Sequence, residues 1–355
     1  MLNHIFFHND VDGIISAVLF QLYQVGREFD YKDSILYPVQ STMRGVSLQK
    51  IIEKIDGNDP IAILDFEFNP RANIWFDHHF SEDLGPSPVS TGKIFYNPSA
   101  KSAADIIAGE YKFEKDDIIS MTNMIDSASY PDVKFIFESD HPLMILRAYL
   151  EMAFPSDMTY SRIVEVIVAS GCDVEKSLRK MRIDCSNVRN ICNLASKSSK
   201  DMLLFGSCSV VQQTRQNQYP RYSEYYVKPE IEYAIRMSLS GPRQKYIQIG
   251  HNQWCGKKNS VNLGEFMRKL PYVKGGGHFN VAAGIIRNED EDKFLDDVDM
   301  QFHGEDMEKY GVDKEDPVEA RAQELVKTGM DLSEARKKSQ EEVKTDAGDK
   351  SELRA

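Results

Sequence analysis

The sequence lacks the features of membrane proteins, disulfide-bonded proteins and zinc knuckles. No apolar run among its 355 residues approaches the roughly 20 residues that span a bilayer, and no basic stretch precedes an apolar signal-peptide core at the amino terminus. The five cysteines are odd in number and show no C-x-x-C spacing. No internal repeat is visible. We therefore expect a cytoplasmic protein with reduced thiols and no membrane partner.

Negative charge is concentrated at one end of the chain. The formal net charge is −12, but residues 289–355 hold 22 acidic against 11 basic side chains, so the preceding residues carry a net charge of only −1. The body of the protein is therefore not acidic, and a nucleic-acid substrate is not excluded. We expect residues 299–355 to be an acidic tail that is either flexible or binds a protein partner.

Short apolar runs alternate with helical patterns over the first part of the sequence. Four runs with apolar, partly β-branched centres and polar ends predict buried strands at 3–8, 34–39, 60–65 and 73–77. Apolar residues at helical spacing predict helices at 11–26 and 47–55. Strands that alternate with helices indicate an α/β fold, here a mostly parallel sheet of the five-stranded type flanked by helices.

Helical patterns dominate the middle of the chain. Residues 102–112 and 116–125 predict two helices, and a long helical stretch from 140 to 199 is broken near Pro155 and Gly171. From about residue 201 a new pattern of strands begins, which indicates a second, smaller α/β domain. We expect a domain at 1–185, a linker helix or hinge at 186–201, the smaller domain at 202–298 and the tail at 299–355.

Side chains that bind metals stand at the carboxyl ends of the predicted strands. They are His8, Asp10, Asp12, Asp65, Asp77, His78 and His79, together with Asp126 at the end of a later helix. The carboxyl ends of parallel strands meet at one edge of a sheet, so one crevice can collect these residues. Histidine with several carboxylates suits Mn²⁺, Co²⁺, Fe²⁺ or Zn²⁺ better than Ca²⁺. Four aspartates would balance two divalent ions, which favours a two-metal site for displacement at phosphorus.

Each of these residues also has a structural interpretation. An aspartate that follows a strand, such as Asp65, is commonly a helix cap or a turn residue, and Asp126 with Ser127 is compatible with an Asx turn. A pair of adjacent histidines is more often a surface or core feature than a pair of ligands. The joint occurrence of these residues in a fixed order at successive strand ends favours the metal site.

In this order the motifs resemble those of the DHH phosphoesterase superfamily. The segment His8-x-Asp10-x-Asp12-Gly13 resembles the first motif and Asp65 the second. Asp77-His78-His79 resembles the third motif, which names the family, and Asp126 the fourth. Each motif is short, but their ordered combination is highly specific. The resemblance covers about residues 1–290 and points to the RecJ-like and short-oligonucleotide nuclease group.

The resemblance implies two overlapping sets of metal ligands. The first set is His8, Asp10 and Asp65. The second set is Asp12, Asp65, His78 and Asp126. Asp65 would bridge two divalent ions, for which Mn²⁺ is the main expectation and Mg²⁺ or Co²⁺ are alternatives.

The remaining motif residues would act beside the metals. Asp77 would orient a neighbouring imidazole, and His79 would face the phosphate, where it neutralises charge or protonates the leaving oxygen. Neighbouring residues in a strand point to opposite faces, so His78 and His79 can share a site only if the strand has ended before them.

The second half of the chain resembles the accessory DHHA1 domain. Its glycine-rich hallmark corresponds to Gly275-Gly276-Gly277-His278, followed by Ala282-Ala283-Gly284. The resemblance implies that backbone N–H groups of the glycines and the His278 side chain bind a substrate phosphate, in a site formed between the two domains. Many relatives carry an arginine just after the strand that here reads Met237-Ser238-Leu239, and we expect Arg243 to substitute for it in space.

Basic and aromatic residues interleave between residues 215 and 274. Charge for phosphates and aromatic faces for bases are typical of single-strand binding, although any one of these residues is more often solvated or part of the core. The leading hypothesis is a phosphodiesterase or exonuclease-type hydrolase acting on short single-stranded RNA or DNA, or on a linear or cyclic dinucleotide.

Two other functions stay open at this point. One is a phosphatase acting on adenosine bisphosphate or polyphosphate, although the glycine-rich segment argues against a pyrophosphatase. The other is a catalytically silent nucleotide-binding regulatory protein, which the complete set of metal motifs disfavours. The sequence does not decide between a monomer and a homodimer.

Overall fold

The computed structural model describes residues 3–24, 34–40, 46–79, 92–114, 116–153, 155–205, 208–213 and 219–303. The chain divides into two compact units, Met1–Asn193 and Leu194–Ala355. The helices of the described residues include none that is long and apolar enough to cross a membrane. The domain limits expected from the sequence stay a prediction.

The first unit is built from strands that alternate with helices and then from a run of helices. In chain order its described elements are β1 (His4–His8), α1 (Val11–Gln24), β2 (Ile35–Val39), α2 (Val46–Ile52), β3 (Ile61–Leu64), β4 (Ile74–Asp77), β5 (Lys93–Tyr96), α3 (Ala103–Tyr111), α4 (Asp116–Asp126), α5 (Val133–Glu138), α6 (Pro142–Ala153), α7 (Asp157–Val168), α8 (Val174–Met181) and α9 (Ser186–Lys197). The division between the two units falls within α9.

The five strands form one parallel sheet in the order β2-β1-β3-β4-β5. The predicted five-stranded parallel sheet is therefore confirmed. The apolar centres of β1, β3 and β4 are buried because helices cover the sheet. One face packs in a cluster that includes Phe6, Ile63 and Trp75 together with residues of α2.

Helix α1 lies at the centre of the first unit. Ile14, Ile15, Val18 and Leu19 have no exposed surface, and α3, α4, α6 and α7 all contact α1. A helix that is apolar over most of its circumference is stable only when it is covered on most sides. The site at the start of α1 is therefore built on a rigid element.

In the first unit the structure adds β5 and α5 to the predicted elements and divides the long helical stretch once more than expected. Strand β5 was not assigned to any particular residues, because it is short and only half-buried. The helical stretch 140–199 is broken at the two predicted positions and also after α8, where Arg182 adopts the left-handed conformation at φ 59° and its N–H bonds to the carbonyls of Leu178 and Arg179. No proline or glycine marks this third break.

The second unit contains a mixed sheet with helices. Its described elements are β6 (Met202–Phe205), β7 (Cys208–Gln213), α10 (Ser223–Val227), β8 (Tyr233–Gly241), β9 (Gln244–His251), α11 (Leu263–Lys269), β10 (Lys274–Gly277), β11 (Val281–Arg287) and α12 (Glu291–His303). The strand order is β10-β11-β9-β8-β7-β6, and only β7 and β8 run parallel among these pairs. The core includes Ile235, Ile247 and Ile249 from the sheet, Met267 from α11 and Phe294 from α12.

Candidate metal centre

The candidate site lies at the carboxyl ends of β1, β3 and β4. After β1 the chain moves outward to β2 and then returns to β3 on the other side of β1. The carboxyl ends of β1 and β3 therefore border the crevice at which open α/β sheets bind ligands. His8 ends β1, Asp65 follows β3 and Asp77 ends β4.

The turn from β1 into α1 needs a glycine. The Asp10 side chain accepts a hydrogen bond from the Gly13 N–H at 2.9 Å, which caps the start of the helix. A Cβ atom at Gly13 would lie 2.0 Å from the carbonyl oxygen of His8. The backbone of α1 thus crosses the end of β1 too closely for any side chain at this position.

Asp65 has a backbone conformation that few residues adopt. Its φ is 57°, in the left-handed region, which aspartate tolerates better than most residues other than glycine. Its N–H donates to the carbonyl of Phe76 at 2.8 Å, so the turn after β3 is tied to β4. The side chain is buried, with 1% of the residue exposed.

The first group of possible metal ligands is His8, Asp10 and Asp65. The His8 Nδ1 lies 2.7 Å from Asp10 Oδ2 and 3.6 Å from Asp65 Oδ2. Burial lowers the pKa of His8, but the Asp10 carboxylate outweighs this effect and raises the pKa to about 11. A cation in this group would take the place of the imidazole proton, because histidine binds metals in its neutral form.

The second group of possible ligands is Asp12, His78 and Asp126. The His78 Nε2 lies 3.2 Å from Asp126 Oδ2 and 3.7 Å from Asp12 Oδ2. The same nitrogen is 3.6 Å from Asp65 Oδ1, so Asp65 lies beside both groups. The structure thus brings together the two sets implied by the sequence; their roles as ligands stay a prediction.

The carboxylates of the site crowd one another. Burial, together with the neighbouring Asp65 and Asp126 carboxylates, raises the pKa of Asp12 well above its usual range. Burial and the neighbouring Asp65 likewise raise the pKa of Asp126 to about 7. For Asp65 burial also favours the neutral form, but His78 and His8 outweigh it and lower the pKa. Each effect arises from buried negative charge that a divalent cation would offset.

Orphaned polar atoms show that the residues present fit a metal. Among the described residues, both carboxylate oxygens of Asp65 and the Nε2 of His78 are buried without a hydrogen-bond partner. Such atoms are costly unless something satisfies them. In each group the ligand atoms lie within 4.8 Å of one another. Carboxylate oxygens and imidazole nitrogens together suit Mn²⁺ and similar divalent ions.

Asp77 holds His79. Asp77 is fully buried, and its Oδ1 lies 2.7 Å from the His79 Nδ1 and accepts from the His78 N–H at 2.8 Å. This hydrogen bond raises the pKa of His79 to about 9. It engages the Nδ1 of the ring, so the Nε2 is the nitrogen that points away from Asp77. Because β4 ends at Asp77, the two histidines are free to face one site, as the sequence required.

The structure also shows contacts to Asp12 that the sequence interpretation missed. The first N–H groups of α3, at Ala103 and Ala104, donate to Asp12 Oδ2 at 2.7 Å and Oδ1 at 2.9 Å. The Ser16 hydroxyl donates to Oδ1 at 3.3 Å. The pattern Ser102-x-x-Asp105 signals a helix start, but nothing in it indicates that Asp12, about 90 residues away, binds that start.

The glycine-rich segment of the second unit is an edge strand. Gly275 to Gly277 lie in β10, which pairs with β11. A Cβ atom at Gly264 would lie 2.2 Å from the carbonyl oxygen of Gly277, so the start of α11 packs directly on this strand. The His278 N–H donates to the Val281 carbonyl at 2.8 Å and is therefore not available to an anion. The His278 side chain is exposed.

Arg243 does not lie near His278. Arg243 lies in the turn between β8 and β9, where Gln244 pairs with Arg287, whereas His278 precedes Val281, which pairs with Gly250 at the other end of β9. At about 3.3 Å per residue the two ends of β9 are roughly 20 Å apart. Arg243 therefore lies at the opposite end of β9 from His278, and its role in substrate binding stays a prediction.

Several basic and aromatic residues between 215 and 274 have structural partners. Arg236 pairs with the buried Glu224 at 2.5 Å, and Lys257 pairs with Glu232 at 2.5 Å. Tyr225 and Tyr233 are buried. Arg215 lies outside the described residues. These paired or buried residues therefore have structural roles. Fewer residues remain for the predicted surface that binds single-stranded nucleic acid.

The comparisons with known proteins agree with this architecture. No family model matches the chain, and no curated protein matches it. A solved structure of the pGpG-specific phosphodiesterase PggH from Vibrio cholerae is similar, with a TM-score of 0.62, 17% identity, and coverage of 85% of this chain and 99% of that chain. A DHH-domain protein described as a member of the s1p family of ribosomal proteins gives a TM-score of 0.48 at 15% identity, covering 84% of this chain and 86% of that one.

The manganese-bound exonuclease RecJ gives a TM-score of 0.46 at 9% identity, covering 84% of this chain and 89% of that one. At these identities the likeness concerns the fold. The chain therefore shares the α/β fold of the PggH phosphodiesterase, and its ordered motifs resemble those of the DHH phosphoesterases.

Proposed function

We propose that the protein is a metal-dependent phosphodiesterase that hydrolyses linear dinucleotides or short single-stranded oligonucleotides to mononucleotides. The observation that carries the proposal is the buried carboxylate and imidazole cluster, in which Asp65 lies beside two groups of possible ligands. The dinucleotide is favoured because the similar solved structure is that of a pGpG-specific enzyme.

The proposal assigns one metal to His8, Asp10 and Asp65 and the other to Asp12, Asp65, His78 and Asp126. Two divalent ions held by these residues, Mn²⁺ being the main expectation, would activate a water nucleophile and offset the charge that develops on the phosphate oxygens. The protein's own contribution is to hold these side chains in place before substrate binds. The left-handed backbone of Asp65 and the cap at Asp10 both serve this purpose.

His79 is proposed to act on the phosphate. Asp77 fixes its Nδ1, so the Nε2 is the atom that contacts substrate. A pKa raised to about 9 keeps the ring protonated at neutral pH, and a protonated imidazole can neutralise phosphate charge or donate a proton to the leaving oxygen. In the second unit, the exposed His278 side chain and the Gly275–Gly277 strand are proposed to bind a substrate phosphate.

The test is an assay with Mn²⁺ over a substrate panel. The panel contains 5′-labelled oligonucleotides of graded length, linear and cyclic dinucleotides, adenosine bisphosphate and polyphosphate. We expect the largest kcat/KM for a linear dinucleotide and a decline as the strand lengthens. Preferred turnover of adenosine bisphosphate or polyphosphate would contradict the proposal and indicate a phosphatase. Binding of nucleotides without turnover of any substrate would indicate a regulatory protein.

A further inference from the structure

Asp12 is attached to the amino terminus of α3. Its two oxygens accept from the N–H groups of Ala103 and Ala104, at 2.7 and 2.9 Å, and the residue is 1% exposed. The position of Asp12 therefore depends on where α3 begins.

Ser102 joins the start of α3 to α4. It is the N-cap of α3, and its Oγ accepts from the Asp105 N–H at 3.0 Å. The same hydroxyl donates to Asn123 Oδ1 in α4 at 2.6 Å. Ser102 has no exposed surface and Asn123 is half-buried, so this hydrogen bond is partly shielded from water.

Asn123 in turn holds the end of α4. It lies one turn before Asp126, and its backbone carbonyl accepts from both the N–H of Ser127, at 3.1 Å, and the Ser127 hydroxyl, at 2.5 Å. The residue that follows Asp126 is thus tied to the residue that contacts α3. A continuous chain of hydrogen bonds leads from Asp12 through α3, Ser102 and Asn123 to the backbone beside Asp126.

We propose that the Ser102–Asn123 hydrogen bond sets the separation of Asp12 and Asp126, and that Ser102 and Asn123 are positioning residues for the metal that these two carboxylates hold with His78. The inference rests on the proposed function, since it takes the second ligand group as a metal site. Asp12 lies in α1 and Asp126 in α4, and the start of α3 connects them, because Asp12 accepts from its first N–H groups and Asn123 accepts from its N-cap Ser102. Metal–ligand distances tolerate deviations of only about 0.2 Å, and partners beyond the ligands typically change metal affinity by about 10- to 100-fold.

The first experiment uses Asn123→Ala, which removes the link but leaves the Ser102 cap of α3 in place. Calorimetric titration of the metal-free protein with Mn²⁺ should show two binding events in the wild type. In the variant we expect one event to weaken by about 10-fold or more and the other to change by less than about twofold. The matched control is Thr122→Val, a neighbouring buried residue of α4 whose hydroxyl donates within its own helix to Ile118 at 2.8 Å.

A double-mutant cycle with Ser102→Ala separates the link from the cap. If the hydrogen bond carries the effect, Ser102→Ala and Asn123→Ala are not additive in Mn²⁺ affinity. Thermal unfolding of each metal-free variant shows that the fold persists. A wild type that binds fewer than two ions contradicts the proposed metal centre. The inference is overturned, while the proposed function stands, if the wild type binds two ions and the Mn²⁺ affinities of Asn123→Ala equal those of Thr122→Val. Additive effects of Ser102→Ala and Asn123→Ala on Mn²⁺ affinity would overturn it as well.

Discussion

The two units place their candidate functional residues in opposite ways. In the first unit these side chains are buried or half-buried, converge from three strand ends and two helices, and include atoms with no hydrogen-bond partner among the described residues. In the second unit His278 and Arg243 are exposed and lie at opposite ends of a sheet, and several basic residues are already paired. Ligand atoms that lack hydrogen-bond partners indicate a preformed site. The exposed and separated residues of the second unit do not define a substrate site by themselves, so their substrate contacts must be measured.

The variant Asp65→Asn is the strongest test of the difference between the two units. The amide keeps the size of the side chain but removes a carboxylate that lies beside both ligand groups. We expect kcat/KM for a dinucleotide to fall by about 10³-fold or more and the bound Mn²⁺ to fall from two ions to at most one. Asp117→Asn, an exposed carboxylate of α4, is the control. Full activity in Asp65→Asn would show that the buried cluster is not the catalytic site.

The variant Asp77→Asn tests the difference between ligands and the residues that orient them. Asp77 contacts His79 at 2.7 Å and the backbone of His78, but belongs to neither ligand group. We expect kcat to fall by about 10- to 100-fold, because the ring of His79 is no longer fixed. Calorimetry should still show two Mn²⁺ ions per chain. Loss of a metal would instead place Asp77 among the ligands.

Gly13→Ala tests whether the first site depends on close backbone packing. The added Cβ would lie 2.0 Å from the His8 carbonyl oxygen, so β1 and α1 must move apart. We expect the free energy of unfolding to fall by about 1–3 kcal/mol and Mn²⁺ affinity to weaken, measured by denaturant titration and calorimetry. Gly109→Ala in α3 is the matched control, since its Cβ meets nothing within 4 Å. We expect it to stabilise the protein by about 0.5–1 kcal/mol; equal effects of the two variants would contradict the packing explanation.

The sequence predicted the first unit better than the second for physical reasons. A metal ligand at a strand end leaves a local signal, because an apolar run stops at a charged residue, as at His8 and Asp65. Contacts such as Asp12 with Ala103 join residues far apart in sequence and leave no such signal. In the second unit the glycine-rich segment predicted N–H groups that are exposed to an anion. In the structure these glycines belong to a strand that pairs with β11, and Gly277 lies against Gly264 too closely for side chains, which explains much of the glycine content.

The smallest expected effect concerns the end of the chain. Phe302 of α12 packs against Tyr233, with ring centroids 4.2 Å apart, and against Phe266 at 5.8 Å. Deletion of residues 304–355, which lie outside the described residues, retains this contact, whereas deletion of 300–355 removes it. We expect the shorter deletion to leave dinucleotide turnover within about twofold and the longer one to lower the free energy of unfolding by about 2 kcal/mol, because a half-buried ring contributes less than a fully buried one. Phe302→Ala in the full chain should reproduce the loss of stability. A large loss of turnover on removing 304–355 alone would show that the acidic tail contributes to the site.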